Sequence, residues 1–211
     1  IPRVFITAVL SVSLFCSAAH AQQNDDSLDK LTDLIVTAVP LGHIFDMLAK
    51  RDANWPVQES PEKVSASQLA CLRTELSSAG YKLNKAKDVV AYAKKNPSRI
   101  QGDIQLLNNG AAFLMNRFMI AGSEQEFTGI PVDEKRIMAE ADITQLTAFM
   151  NFMTKPEFSI LRDLAGVGSA VDITKSESEN EEAGKKTGAN LAMNVMLQSV
   201  GNCKIPPSAL F

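Results

Sequence analysis

Apolar residues recur at steps of three and four along most of the chain, which is the spacing of one face of an α-helix. The clearest stripe predicts a central helix and consists of Ile100, Ile104, Leu107, Ala111, Leu114, Phe118 and Ala121. Gly110 inside this stripe either weakens the helix or lets another helix approach closely. The alternation typical of strands is nearly absent. The pattern therefore predicts an all-α protein, a single bundle of five to seven helices.

The first helix of the bundle is predicted to begin at Asp26 or Ser27, since both residues are good helix caps. Its apolar face consists of Leu28, Leu31, Ile35, Ala38, Gly42, Phe45 and Ala49. Pro40 lies inside this pattern, and it should kink or break the helix because it lacks a backbone donor.

Three segments have the spacing of a capping box, in which Ser or Thr is followed three residues later by Glu or Gln. They are 65–68, 154–157 and 178–181, and each predicts a helix start. Gly80 is a predicted helix end. The following helix, 82–95, should stop at Asn96, which precedes a proline.

The second half of the chain contains further predicted helices and loops. A loop is expected over 122–131, and Pro131 or Asp133 should open a helix that continues to Met153. Gly166 should end the segment after it. The last helix carries a stripe of Ala189, Met193, Met196 and Val200 that continues to Cys203, and the tail 204–211 should be extended or loose.

The first twenty-one residues have the order of a secretory signal peptide. One positive charge, Arg3, precedes an apolar run from Val4 to about Cys16, and Ala19-His20-Ala21 is an A-x-A cleavage signal. The run is too short to span a bilayer, which takes roughly 20 residues. We predict cleavage after Ala21 and export, most simply to a bacterial periplasm. The domains would be a signal peptide 1–21, a helical domain 22–203 and the tail 204–211.

Two other interpretations of the N-terminus remain open. Cys16 could be acylated after cleavage, although lipoprotein processing prefers a small residue where Phe15 stands. The apolar run could also stay uncleaved as a membrane anchor.

The charge of the chain gives little guidance to its partners. The whole chain has 21 basic and 24 acidic residues, and loss of Arg3 changes the net charge from −3 to −4. A mildly acidic exported protein is a poor candidate for nucleic-acid binding. No stretch after Ala21 resembles a membrane span.

Cys71 and Cys203 are the cysteines that remain after cleavage. An even number of cysteines in an oxidising compartment favours a disulfide. Two separate buried thiols are the alternative. A redox-active pair is disfavoured because no C-x-x-C spacing is present.

Residues 143–164 contain the core Phe149-Met150-Asn151-Phe152-Met153-Thr154-Lys155-Pro156-Glu157-Phe158. This segment resembles one in bacterial secreted helical domains of unknown function, where a helix ends in aromatic residues and restarts after a Ser/Thr-Pro step. It departs from them where a Tyr would follow the Phe and a Gly would follow the Pro. The resemblance covers about a tenth of the chain, implies an all-helical periplasmic domain, and carries over no catalytic residue.

Catalytic residue types are scarce after Ala21. His43 is the single histidine there, and a lone histidine on a mostly apolar helix is usually structural. No G-x-S-x-G, H-E-x-x-H, glycine-rich phosphate loop or EF-hand is present. The acidic clusters lie beside helix starts or in loops, where they solvate the chain and complement helix dipoles. We predict no catalytic, cofactor-binding or metal site.

Methionine is the compositional oddity, because all eight methionines follow Ala21. Three pairs share a helix face: Met115 with Met119, Met150 with Met153, and Met193 with Met196. They would fill gaps in the core or line a surface for apolar ligands, and Cu(I) binding is a remote alternative. The basic helix 82–95 is interpreted as a solvated exterior, with an anionic envelope surface as the alternative partner.

These patterns together favour a periplasmic, non-enzymatic helical module that contacts a protein partner or an apolar ligand in the cell envelope. The alternative is a small periplasmic hydrolase, or another enzyme, that uses carboxylates or His43. An apolar groove lined by Met and Phe would favour binding, whereas a deep polar pocket joining His43 to two carboxylates would favour catalysis.

Overall fold

The computed structural model describes residues 12–57, 61–168, 172 and 174–209. Within these ranges every regular element is helical, so the predicted all-α class is confirmed. Residues 1–11, which hold the first half of the predicted signal peptide, lie outside the described ranges. The signal peptide and its cleavage stay predictions.

The described α-helices outnumber the five to seven expected. They are α1 (Val12–Ala38), α2 (Leu41–Arg51), α3 (Ala66–Leu76), α4 (Ser78–Lys95), α5 (Ile100–Leu106), α6 (Ala112–Thr128), α7 (Glu134–Ala139), α8 (Ile143–Thr154), α9 (Ser159–Ala165) and α10 (Glu177–Asn202). Short 3-10 turns form at Pro61–Lys63, Pro97–Arg99, Pro156–Phe158 and Pro207–Ala209. The number was underestimated because three predicted helices are each divided: the first at Pro40, the segment 100–121 at Leu107–Ala111, and the helix opened at Pro131 or Asp133 after Ala139.

Pro40 separates α1 from α2, as predicted. The residues Asp25–Ala38 and Leu41–Arg51 meet at an angle of 51°. The predicted start at Asp26 or Ser27 is wrong, because α1 begins at Val12 and passes through both residues. In the described part of the chain no single helix has the length and apolarity to cross a membrane, and only this bent pair meets both limits together.

The predicted central helix 100–121 is broken at a π-helical segment, Leu107–Ala111. Gly110 has φ 118° there, a conformation that glycine adopts without strain. A Cβ built on Gly110 would lie 2.7 Å from the Cα of Gln145 in α8. The prediction of one continuous helix is wrong, whereas the close approach of another helix at Gly110 is confirmed.

Of the three predicted capping boxes, one is confirmed, one is displaced and one is wrong. The box at 65–68 is confirmed, since Ser65 and Gln68 cap the start of α3 reciprocally. The box predicted at 178–181 lies two residues earlier, between Ser176 and Glu179. The box predicted at 154–157 is wrong because Thr154 ends α8, where its hydroxyl donates to the Met150 carbonyl.

Several other boundaries differ from the sequence prediction. Gly80 does not end a helix, since Ser77 caps α4 and Gly80 lies in its first turn. The loop expected over 122–131 is helical to Thr128. Asp133 does cap a helix, α7, but that helix ends at Ala139, and a capping box at Asp142 starts α8. The ends predicted at Asn96 and Gly166 are confirmed.

One hydrophobic core joins the helices. The segment 100–121 packs against both α1 and α8, and α1 in turn packs against α4, α5 and α6. The buried residues of α1 include Leu31, Ile35 and Ala38. The bundle buries α1 from several sides because it is long and its apolar face is wide.

The C-terminal part of the chain is anchored at one end. Val200 and Cys203 are buried, but Met193 is 39% exposed, so the predicted stripe holds only in its second half. The tail expected to be loose carries two buried side chains, Ile205 and Ala209. Both buried side chains are apolar. The sequence did not predict their burial because the neighbouring prolines indicated a loop.

Candidate functional site

The Cys71 and Cys203 sulfurs lie at bonding distance, 2.00 Å apart, and their Cα atoms are 5.8 Å apart. The prediction that the two cysteines approach closely enough to bridge is therefore confirmed. The pair joins α3 to the end of α10 across 132 residues. Asn202 donates to the Glu75 carboxylate at 2.8 Å beside it. The C-terminal end of α10 is therefore tied to α3. Among the described side chains of α10, none before Leu191 is buried.

His43 is exposed on α2 and lies outside the residues that line the two grooves described below. Within the described ranges, no group of three or more His, Cys, Asp or Glu side chains is placed to hold a metal ion. The residue that the sequence singled out as a possible catalytic group therefore lies at the surface of α2 and belongs to no metal-holding group among the described residues.

The methionine pairs have mixed environments. Met115 and Met153 are each 7% exposed, in the core, whereas Met150 is 47% exposed. Met119 lines the larger of the two grooves. The methionines therefore serve both of the roles considered, core filling and surface lining.

The basic helix α4 has several of its charges compensated. Lys82 pairs with Asp33 at 2.5 Å, and Lys85 pairs with Asp88 at 3.1 Å. The Lys85 ammonium also donates to the Leu164 carbonyl at 3.1 Å. These pairings fit the interpretation of α4 as a solvated exterior that also contacts its neighbours.

A buried polar cluster links α4 to α5 and was not foreseen from the sequence. The Tyr92 hydroxyl donates to one oxygen of Asp103 at 2.5 Å, and Arg99 donates to the other at 3.2 Å. Asp103 is 1% exposed, and this burial raises the pKa of its carboxyl group despite the two donors. Since each member has a partner, the cluster positions the α4–α5 corner and offers no open site.

A smaller groove of about 300 Å³ lies between the π-helical segment and α8. It is lined by Leu106, Asn109, Ile143, Thr144, Thr147, Ala148 and Asn151. Ile143 at its edge is 77% exposed. None of these described lining residues is charged, so the lining supplies no carboxylate, ammonium or imidazole for acid–base chemistry.

The larger groove has a volume of about 1080 Å³, and we call it the α6–α10 groove. Its walls are the second half of α6, the segment 131–135 and the first half of α10. Its apolar lining consists of Ile44, Phe118, Met119, Pro131, Val132 and Ala189. Such a volume is in the upper range of sites that bind small molecules.

Three glycines line the α6–α10 groove: Gly122, Gly184 and Gly188. A Cβ added to any of them would have no neighbouring atom within 4 Å. The helix surfaces are therefore open at these points, and a ligand could reach the backbone of both walls.

The rim of the groove is acidic. The charged lining residues are Glu126, Asp133, Glu134, Lys135, Glu181 and Lys185. The Lys185 ammonium pairs with Glu181 at 2.9 Å, and the pKa of Lys185 is raised chiefly by that hydrogen bond and charge, with a smaller effect of Glu126. Four carboxylates thus face two ammonium groups, one of which is already paired.

Sequence reasoning missed this groove because its lining comes from distant segments and because α6 was predicted to end at Gly122. The spacing of Gly184 and Gly188 by one turn was the available signal. No protein-family model, curated protein or solved structure matches the chain.

Proposed function

We propose that this protein is an exported, periplasmic, non-enzymatic helical module that binds a partner protein or an apolar ligand in the α6–α10 groove. The observation that carries the proposal is an apolar lining that includes Phe118 and Met119, between two helix walls that are open at their glycines. Burial of such a surface by a ligand would be favourable at roughly 25 cal/mol per Å².

The low burial of one wall supports binding. Among the described side chains of α10, none before Leu191 is buried, and the disulfide lies at the opposite end of the helix. A helix whose side chains are little buried can change its conformation to fit a ligand at a small cost in free energy. Export is supported by the signal-peptide pattern and by the Cys71–Cys203 geometry, because disulfides persist in oxidising compartments.

The alternative enzyme function has less support. His43 is exposed and lies outside the groove lining, although Ile44 beside it belongs to that lining. A general base must reach the reacting group within hydrogen-bond distance, directly or through one water. His43 is not part of the groove lining, and its position therefore gives no support to a role in catalysis there.

The test is titration with a neutral solvatochromic dye, whose fluorescence rises in apolar surroundings. We expect saturable binding at one site, weakened about tenfold or more by Gly188→Leu, which fills the groove. The matched control is Gly102→Leu, because Gly102 also lies in a helix with no atom within 4 Å of its Cβ position. Equal dye binding by both variants would contradict the proposal.

A further inference from the structure

We infer that the occupant of the α6–α10 groove is a cationic amphipathic helix of a partner protein. This inference rests on the proposed function and specifies its ligand. It follows from three features of the described residues: the shape of the groove, the chemistry of its apolar lining and the sign of its rim.

The shape favours a helix. Gly184 and Gly188 are one helical turn apart on α10, and Gly122 lies on the facing helix α6. The separation of packed helices depends on the side chains at their contact, and it is smallest where those side chains are small. Because glycine has no side chain, the glycines on both walls leave room for a third helix between them.

The apolar lining favours an amphipathic surface. Phe118 and Met119 are in α6 and are only partly buried, as is Val132 after it. Ile130, beside the groove in sequence, is 69% exposed. Apolar residues spaced at three and four along a partner helix would cover this lining, in the helix-in-groove mode of recognition. Methionine suits such contacts because its side chain is flexible and polarisable.

The rim favours a positive partner. Glu126 and Glu134 take part in no ion pair among the described residues, and Asp133 accepts only a backbone N–H, from Arg136. Of the two lysines in the described groove lining, Lys185 is paired with Glu181 and Lys135 is not. Lysine or arginine side chains on the flanks of a bound helix would meet these carboxylates, whereas acidic side chains would be repelled.

The experiment uses two labelled helical peptides with the same leucine stripe, one with lysines and one with glutamates at all other positions. Fluorescence anisotropy with the full chain measures both affinities at low and high salt. We expect the lysine peptide to bind about tenfold more tightly or better at low salt. We also expect added salt to reduce this preference, because rim charges are screened.

Charge-removing and groove-blocking variants of the chain test whether the effect arises in the groove. Glu126→Gln combined with Glu134→Gln should reduce the preference for the lysine peptide several-fold. Glu124→Gln is the matched control, since Glu124 is exposed on the same helix but outside the groove lining, and it should leave the preference unchanged. Gly188→Leu should weaken the lysine peptide about tenfold, and Gly122→Leu on the facing wall provides a second blocking variant if the first does not fold.

The outcomes separate this inference from the function on which it rests. Equal binding of both peptides, blocked by Gly188→Leu, would overturn the charge inference and leave the groove as a binding site. Dye binding without peptide binding would show that the occupant is a small apolar ligand. Self-association of the wild type that Gly188→Leu abolishes would show that a second copy occupies the groove. Absence of groove-dependent dye and peptide binding would reject the proposed function as well.

Discussion

Gly110 and Gln145 are in backbone contact across the junction of the π-helical segment with α8. A Cβ at position 110 would lie 2.7 Å from the Gln145 Cα and 2.5 Å from its Cγ. Gln145 is also part of the capping box that starts α8. The glycine therefore fixes both the break in the predicted long helix and the position at which the next helix packs.

Gly110→Ala should destabilise the protein strongly. Strain at this positive φ costs about 1–3 kcal/mol, and overpacking against Gln145 typically adds about 1–3 kcal/mol. Chemical denaturation would measure the free energy of unfolding. Gly102→Ala is the control, and it should gain about 0.5–1 kcal/mol because its Cβ has open space in a helix. Similar unfolding free energies for the two variants would contradict the assigned role of Gly110.

The two tyrosines should respond oppositely to loss of their hydroxyl groups. The Tyr81 hydroxyl is buried and has no hydrogen-bond partner among the described residues, so Tyr81→Phe should leave stability unchanged or raise it by up to about 1 kcal/mol. Tyr92→Phe removes a donor from buried Asp103 and should cost about 1–3 kcal/mol. Thermal or chemical unfolding of both variants measures the difference, and a reversed order would refute this interpretation.

The same tyrosines predict an alkaline limit to stability. Burial, followed by the hydrogen bond to Asp103, raises the pKa of Tyr92 to about 12, and burial also raises the pKa of Tyr81. An unfolded tyrosine titrates near pH 10, at about its model value. Because the folded pKa values are higher, the neutral hydroxyl groups contribute fully to the free energy of unfolding below about pH 10. The contribution of Tyr92 is lost as the pH rises through about 12.

Tyrosinate absorbance as a function of pH measures this effect directly, since the chain has two tyrosines. We expect little absorbance near pH 10 and a rise together with loss of helical circular dichroism. Tyr81→Phe should leave one transition near the pKa of Tyr92. Full titration near pH 10 with the helices intact would contradict the burial of both hydroxyl groups.

The disulfide should contribute strongly to stability, and its loss should release α10 first. A loop of this length corresponds to about 4–5 kcal/mol in the chain-entropy model, which is an upper value. Cys71→Ser with Cys203→Ser should reproduce the reduced wild type. Hydrogen exchange should accelerate in α10 before α4, because α10 has no buried side chain before Leu191 among those described. Free thiols in the exported, unreduced protein would refute the bridge.

Export should remove the first twenty-one residues. The intact mass of the protein recovered from a bacterial periplasm should correspond to a chain that begins at Gln22. Ala19→Asp with Ala21→Asp should block processing, since the A-x-A site requires small residues. A mature form that begins at Cys16 with added lipid mass would instead establish a lipoprotein.

His43→Gln should change stability only slightly and leave groove binding of the dye unchanged, because His43 is exposed and outside the lining. Surface substitutions of this kind usually stay within about 0.5 kcal/mol. The measurements are unfolding free energy and dye titration. If a hydrolytic activity were found and this substitution removed it with the fold intact, the enzyme alternative would replace the binding function.

The sequence by itself determined the helical class, the break at Pro40, the capping box at Ser65 and the helix ends at Asn96 and Gly166. It also gave reason to expect the pairing of Cys71 with Cys203. These features depend on local rules, namely helical periodicity, the missing donor of proline, side-chain capping and the conformational freedom of glycine.

The tertiary structure alone decided the features that depend on residues far apart in the chain. The spacing from Ile100 to Ala121 is the same for a straight helix as for one broken at Gly110, and only the approach of Gln145 distinguishes them. The α6–α10 groove likewise forms where Phe118, Val132 and Gly188 meet. No local pattern encodes such a meeting, because burial and electrostatic environment are properties of the packed helices and not of any single segment.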